Sequence, residues 1–357
     1  MRFAVFAVML LAAGGSGACS PGYVLRAGFE EWKILRASED IEDVLRDPEV
    51  DETTKSKLVL VLEARQFAMS EFGIDVGRAY SSYVELERDT LALIVSAAHR
   101  DMLVPKTWWF PIVGNVPYRG HFSVEDADEE RMKLEAEGFD AMVRPTAAFS
   151  TLGWFDDPVL STFLRYDDVE MITTLIHELA HLHLYVAGEG DFNESYATFV
   201  GRSGAVRFFC GRRAGGENTL KCQRARVRWE DVKLFGAYID ELRAELTRFY
   251  ADTTLTSEEK IAGREPIFRN ALSRFDAEVA PQLESLTFTG FRDTDLNNVT
   301  LLSRIRYYHR LDDFDTLLQE WEGDLAALLR HLKTVVEDVD DPWTLVEGPA
   351  RDPMPSP

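Results

Sequence analysis

Val169-Glu170-Met171-Ile172-Thr173-Thr174-Leu175-Ile176-His177-Glu178-Leu179-Ala180-His181-Leu182-His183-Leu184-Tyr185-Val186 is the stretch on which the fold and the chemistry turn. Apolar side chains recur through it at helical spacing, and Glu178 is the one formal charge between Glu170 and Val186. Four residues at 3.6 per turn rotate by about 400°, so His177 and His181 leave the same face one turn apart and can meet a single zinc ion. Glu178 lies about 100° round from His177, which is wrong for a ligand but suited to taking a proton from a zinc-bound water. A carboxylate buried without a partner in so apolar a helix costs several kcal/mol, and a cation is the simplest compensation. The bland alternative is two histidines at helical spacing around a surface glutamate, and the lack of other charge in the helix argues against it. His183 is about 200° round from His181 and faces away, as a core or surface residue.

Working outward, the helix is expected to stop at Gly188-Glu189-Gly190-Asp191 and a second to run over residues 194–209. The second opens with Phe192-Asn193-Glu194-Ser195-Tyr196-Ala197-Thr198-Phe199-Val200. A tight turn between antiparallel helices returns the first turn of one to the last turns of the other, so Glu194 can supply a third zinc ligand. Glu189 and Asp191 are alternatives; a further one is that Glu194 closes a capping box with Asp191 and binds no metal. Asp191 or Asn193 is the expected N-cap.

Elsewhere helical periodicity dominates, over residues 23–46, 51–72, 126–137, 229–250, 257–275 and 314–339. Residues 91–122 are β-rich and punctuated by Pro and Gly, and read as strands of a small sheet. Without an internal repeat or long linker, the expected organisation is one helix-rich α+β domain over residues 19–339. Residues 340–357, rich in Pro and Asp, read as a disordered tail.

The composition narrows the partners. The chain has 357 residues, with 61 acidic against 39 basic side chains and a net charge of −22, which argues against nucleic acid because counterion displacement needs a basic face. Its 46% hydrophobic content suffices for a core, which argues against global disorder.

Residues 1–18 read as a secretory signal: Met1-Arg2, an apolar run from Phe3 to Ala13, then small residues up to Cys19. Cys19 after Ser16-Gly17-Ala18 resembles a bacterial lipobox, although Ser16 stands where Leu is usual. Lipidation there would attach the chain to a membrane, and Ser20 points by resemblance to the periplasmic side of the outer membrane; a soluble periplasmic protein is the alternative. In an oxidising compartment Cys210 and Cys222 are expected to bridge, closing a Gly-rich basic loop for roughly 3 kcal/mol in the chain-entropy model; two buried thiols are the other option.

HELAH at 177–181 followed by FNESYATFV at 192–200 resembles the gluzincin aminopeptidases, whose zinc helix precedes an NEGFA-type motif carrying the third ligand. More closely, the chain is similar to a bacterial family of predicted zinc aminopeptidase lipoproteins over residues 23–336. That likeness includes Pro117-Tyr118-Arg119-Gly120, the block from Phe149 to Pro158, and Asn297-Asn298 before Tyr308. The resemblance implies a zincin-like catalytic core, one zinc ion on His177, His181 and Glu194, Glu178 as base, and a peptide substrate. Two departures stand out. Related sequences usually carry Glu seven residues after the ligand Glu, where this chain has Gly201, and the GxMEN-type segment that grips a free amino terminus is absent.

The remaining roles follow from residue type. An oxyanion donor is expected at Tyr308, with His309 second; a packed aromatic and a surface histidine are the structural alternatives. Arg119 is a candidate for a substrate carboxylate, or a structural partner of Asp156 or Asp157. Asp167, Asp168 or Thr198 is expected to accept the second ring hydrogen of a ligand histidine. The reading is a zinc peptidase, an aminopeptidase by resemblance. Its alternatives are a zinc amidase or endopeptidase acting on peptidoglycan stem peptides, and a non-catalytic zinc-binding lipoprotein. No protein partner is indicated.

Overall fold

A computed structural model of the chain describes residues 36–86, 92–110, 114–146, 156–211 and 216–347. The signal, Cys19, Ser20 and most of the block from Phe149 lie outside them. Among the described residues no helix is long and apolar enough to cross a membrane.

The fold is helix-rich α+β, as the periodicity predicts. In chain order it runs β1 (Glu39–Asp40), α1 (Ile41–Arg46), α2 (Glu52–Phe72), β2 (Ser82–Val84), β3 (Ala92–Ala98), β4 (Trp108–Phe110), β5 (Gly114–Val116), β6 (Arg119–His121) and α3 (Val124–Ala136). Then come β7 (Asp140–Thr146), β8 (Val159–Leu160), α4 (Asp168–His183), α5 (Gly190–Gly211), α6 (Leu220–Tyr250) and α7 (Ser257–Arg274). The last helices are α8 (Thr289–Arg292), α9 (Asn298–Tyr308), α10 (Leu311–Glu320) and α11 (Leu325–Val335). In place of one small sheet there are three among the described residues, with strand orders β1-β2-β8, β6-β3-β7 and β4-β5. In the middle sheet both β6 and β7 run antiparallel to β3, with Ile94 opposite Gly120 on one side and Arg144 on the other.

The main core buries α4 against α2 and α5, with α10 and α11 closing one side. Leu58, Ile172, Leu175, Ile176, Leu179, Phe199 and Phe314 are fully buried in it. At roughly 2–3 kcal/mol for each large aliphatic side chain taken from water, this packing rather than intrinsic propensity holds α4 in place. A second core joins α6, α7 and α9 through Phe235, Phe275, Phe291 and Leu301.

Several expected boundaries are corrected. The 23–46 helix is interrupted, because residues 39–40 pair with β2 and Asp40 then caps α1 by accepting from the Glu42 amide. The 314–339 helix breaks at Glu322 (φ 53°) and Gly323 (φ 76°), whose left-handed turn lets Asp324 cap α11. The expected tail is ordered at its start: Pro342–Val346 form a 3-10 turn in which Val346 is fully buried and the Trp343 ring packs 5.3 Å from Phe192. Residues 348–357 lie outside the described set. Strand β7 and helix α9 were not anticipated.

Candidate metal centre

Helix α4, which carries His177 and His181, is anchored at its first turn. Asp167 caps α4 by accepting from the Val169 and Glu170 amides, and the Arg228 guanidinium grips the same carboxylate at 2.9 and 2.8 Å. One turn on, Arg202 of α5 holds Glu170 with two bonds of 2.9 Å. Asp168 pairs with Lys221. These residues therefore orient the helix and are not the acceptors for the ligand imidazoles they were expected to be.

Gly201 sets how closely α5 approaches. A Cβ there would stand 2.7 Å from the Thr173 carbonyl oxygen and 3.0 Å from the His177 Cβ. A glutamate cannot occupy that position in this packing, so the departure at Gly201 is a tight helix contact directly under a ligand histidine.

The turn between the helices is clasped by Asn193, whose amide nitrogen donates to the Val186 carbonyl at 2.7 Å and whose oxygen accepts from the Val186 amide at 2.8 Å. Helix α5 starts at Gly190, four residues before the expected start, so Asp191 and Asn193 lie inside its first turn instead of capping it. Glu194 follows the clasp and is delivered to the histidines. Its Oε2 is 3.2 Å from His177 Nε2 and 3.6 Å from His181 Nε2. Two ligands of a tetrahedral zinc at bonds near 2.0–2.1 Å are about 3.3 Å apart, so this donor set fits the ion. Among the described residues His177, His181 and Glu194 form the one such group, their ligand atoms all within 4.8 Å of one another. Glu189 and Asp191 are not part of it.

The charges suit the same reading. Burial alone would raise the Glu194 carboxyl, but hydrogen bonds with His177 and His181 hold it well below the usual range, so it stays ionised. Burial raises the Glu178 carboxyl, against the pull of the two imidazoles and with a push from Glu194. Among the described residues Glu178 has no hydrogen-bonding or ion-pair partner, which leaves its oxygens available for proton transfer. The His181 Nδ1 is buried without a hydrogen-bond partner, and the buried Thr198 does not supply one. His183 faces away as expected: its Nδ1 is 2.9 Å from the Tyr196 hydroxyl, and burial, with Lys333 adding, lowers its pKa to about 4.

The residue expected at the reacting face is displaced by one. Tyr308 turns into the second core, its ring 5.0 Å from Phe235. Tyr307 faces the metal side, its ring centroid 6.2 Å from that of His177. Burial raises its phenol and Glu194 adds to this, so it remains a protonated donor, while Arg144 donates to its oxygen at 3.2 Å. His309 is bound to Asp240 at 2.5 Å and packs on Trp343, away from the site. Arg119 pairs with Glu130 at 3.0 Å.

Sequence reasoning missed Tyr80, Tyr118, Arg144, Tyr307 and Arg306. Tyr80, held at φ 56°, keeps a buried hydroxyl without a hydrogen-bond partner within electrostatic reach of Glu178. Tyr118 falls within the quoted Pro117–Gly120 block, and Tyr307 sits beside Tyr308; the helical phase of α9 would have separated the two tyrosines had its start been read. That start is signalled by Asn297, which makes a capping box with Thr300.

Residues 22–341 match the model of a family described as "Putative aminopeptidase". No curated protein and no solved structure matches the chain.

Proposed function

The chain belongs to the "Putative aminopeptidase" family, and from that premise we propose that it is a zinc-dependent peptidase of gluzincin type. His177, His181 and Glu194 would hold the ion. When bound, zinc polarises the scissile carbonyl and makes water a better nucleophile at neutral pH. The chain's own groups do the rest. Glu178, half-buried and with a pKa raised by desolvation, takes the proton of the attacking water and can pass it to the leaving amine. Tyr307 accepts from Arg144, which leaves its own hydroxyl hydrogen free to donate to the developing oxyanion. The observation that carries the reading is the spacing of the Glu194 oxygen, 3.2 and 3.6 Å from two imidazole nitrogens, beside the half-buried carboxylate of Glu178.

The same reading places the protein outside the cytoplasm, anchored through a lipidated Cys19 to the periplasmic face of the outer membrane. The bridge between Cys210 and Cys222, with Cα atoms 4.7 Å apart, supports an oxidising compartment.

The test is metal content and peptide cleavage by purified protein beside Glu178→Gln. One zinc per chain in both forms, with turnover reduced about 10³-fold in the variant, is expected. Stoichiometric zinc in both, without any turnover that depends on Glu178, sinks the enzymatic reading.

A further inference from the structure

Beyond Glu178 and the histidine–Glu194 group, two guanidinium groups stand close to the centre. Arg144, opposite Ile94 in the β3–β7 ladder, reaches across to Tyr307, its guanidinium carbon 5.9 Å from the ring that leans over His177. Among the described residues no carboxylate lies within ion-pair distance of it. Arg306, one turn from the end of α9, is 7% exposed, and its guanidinium lies 5.5 Å over the Tyr118 ring. Its Nε is buried without a hydrogen-bond partner, and the nearest carboxylate, Asp191, is 3.8 Å away and half exposed. Glu194 acts on Tyr118, Tyr307 and Arg144, and both arginines act on the two tyrosines, so these groups share one electrostatic neighbourhood.

The charge balance has a direction. A divalent ion is neutralised by Glu178 and Glu194, and two guanidinium groups then remain, offset in part by a solvent-screened Asp191. An α-ammonium group entering this field meets like charge. Both acidic side chains of the centre are already committed, and Asp157, which acts on Tyr80, has interactions of its own. A carboxylate instead completes two planar donors whose bidentate geometry suits it.

We propose that Arg144 and Arg306 form a carboxylate-binding subsite beside the metal ligands, and that the substrates are short peptides with a free carboxylate on the leaving-group side of the scissile bond. One residue of extended chain spans about 3.5 Å, which suits a carboxylate one or two residues from the cut. A dipeptide meets this requirement whether the cleavage is named from its amino or its carboxyl end. The proposal rests on the peptidase reading above, and its test keeps the two apart.

Binding is measured by calorimetry on full-length, zinc-loaded Glu178→Gln protein, and turnover on the unsubstituted protein. The probes are phenylalanyl-alanine, its C-terminal amide, its N-acetyl derivative and phenylalanyl-aspartate amide. The free acid is expected to bind roughly tenfold or more tightly than the amide. That ratio should fall to about one in Arg144→Gln and be partly kept in Arg144→Lys, and Arg306→Gln should also reduce it. Phenylalanyl-aspartate amide matching the free acid assigns the subsite to a side-chain carboxylate; matching the plain amide assigns it to the chain end. Equal binding of acid and amide, or a loss confined to the N-acetyl derivative, overturns the proposal. Discrimination without turnover upholds the subsite and sinks the peptidase reading, whereas turnover without discrimination does the reverse.

Discussion

Two buried clusters of ionisable side chains lie near opposite ends of α9, 11 residues and so about 16 Å apart, and they are finished in opposite ways. At its start, Arg264 grips Asp140 with bonds of 2.6 and 2.7 Å, and the Asn298 amide donates to the same carboxylate at 3.1 Å. The Asn298 side chain is itself saturated, donating to the His99 and Met102 carbonyls and accepting from Tyr250. At the other end, His177, His181 and Glu194 point their ligand atoms at a common centre, Glu178 has no partner, and the His181 Nδ1 is unmatched. The first cluster leaves Arg264 Nε without a hydrogen-bond partner but pairs its carboxylate fully, and this closed end joins elements of the fold; the second, open end leaves a carboxylate over, capacity that an ion and a substrate can take up. The two are coupled through α9, since Asn298 docks this helix on the strand end that precedes Arg100 and thereby sets where Tyr307 and Arg306 arrive.

The difference can be broken most forcefully at the closed end. Asp140→Ala leaves the buried Arg264 guanidinium with only the exposed Glu265, 3.5 Å away, and the Arg100 carbonyl, and should cost about 3–5 kcal/mol in urea unfolding. Glu178→Gln at the open end should leave the stability of the metal-free protein unchanged or higher; a comparable loss there would erase the distinction. Next in size is Tyr307→Phe, expected to lower kcat about 10²-fold while Tyr308→Phe changes it little. Equal effects in steady-state kinetics would remove Tyr307 from the reacting face. Stripping zinc with a chelator should lower Tm, since an ion at a hundred times its Kd adds about 2.7 kcal/mol, and in Glu194→Ala the zinc-dependent part of that shift should shrink. The smallest expected effect is Gly201→Ala. A methyl 2.7 Å from the Thr173 oxygen must push α5 away from α4, at about 1–3 kcal/mol by thermal unfolding, with weakened zinc affinity as the sign that the strain reaches His177.

How much was legible follows from the range of each interaction. His177, Glu178 and His181 share one helix, and their relative directions are set by 3.6 residues per turn. Glu194 is one short turn further on, so chain connectivity alone confines it. The α2 helix was readable for the same reason, with Asp51 at its start and the left-handed Gly73 at its end. That Tyr307 rather than Tyr308 lies beside His177 was not legible, because a downstream helix meets the site in a phase set by its packing. That phase depends on Asn298 reaching carbonyls almost two hundred residues away in sequence.

By itself, then, the sequence determined the helix that carries His177, Glu178 and His181, the approach of Glu194 to the two histidines, and the cysteine pair, each an outcome of local periodicity or of a short, constrained connection. Only the tertiary structure decided which tyrosine faces the centre, that Gly201 is a tight helix contact, and that arginines from a strand and a distant helix meet Tyr307 and Tyr118. Those outcomes depend on how separately folded elements are docked, and docking is set by the burial of whole faces, which no single stretch of sequence encodes.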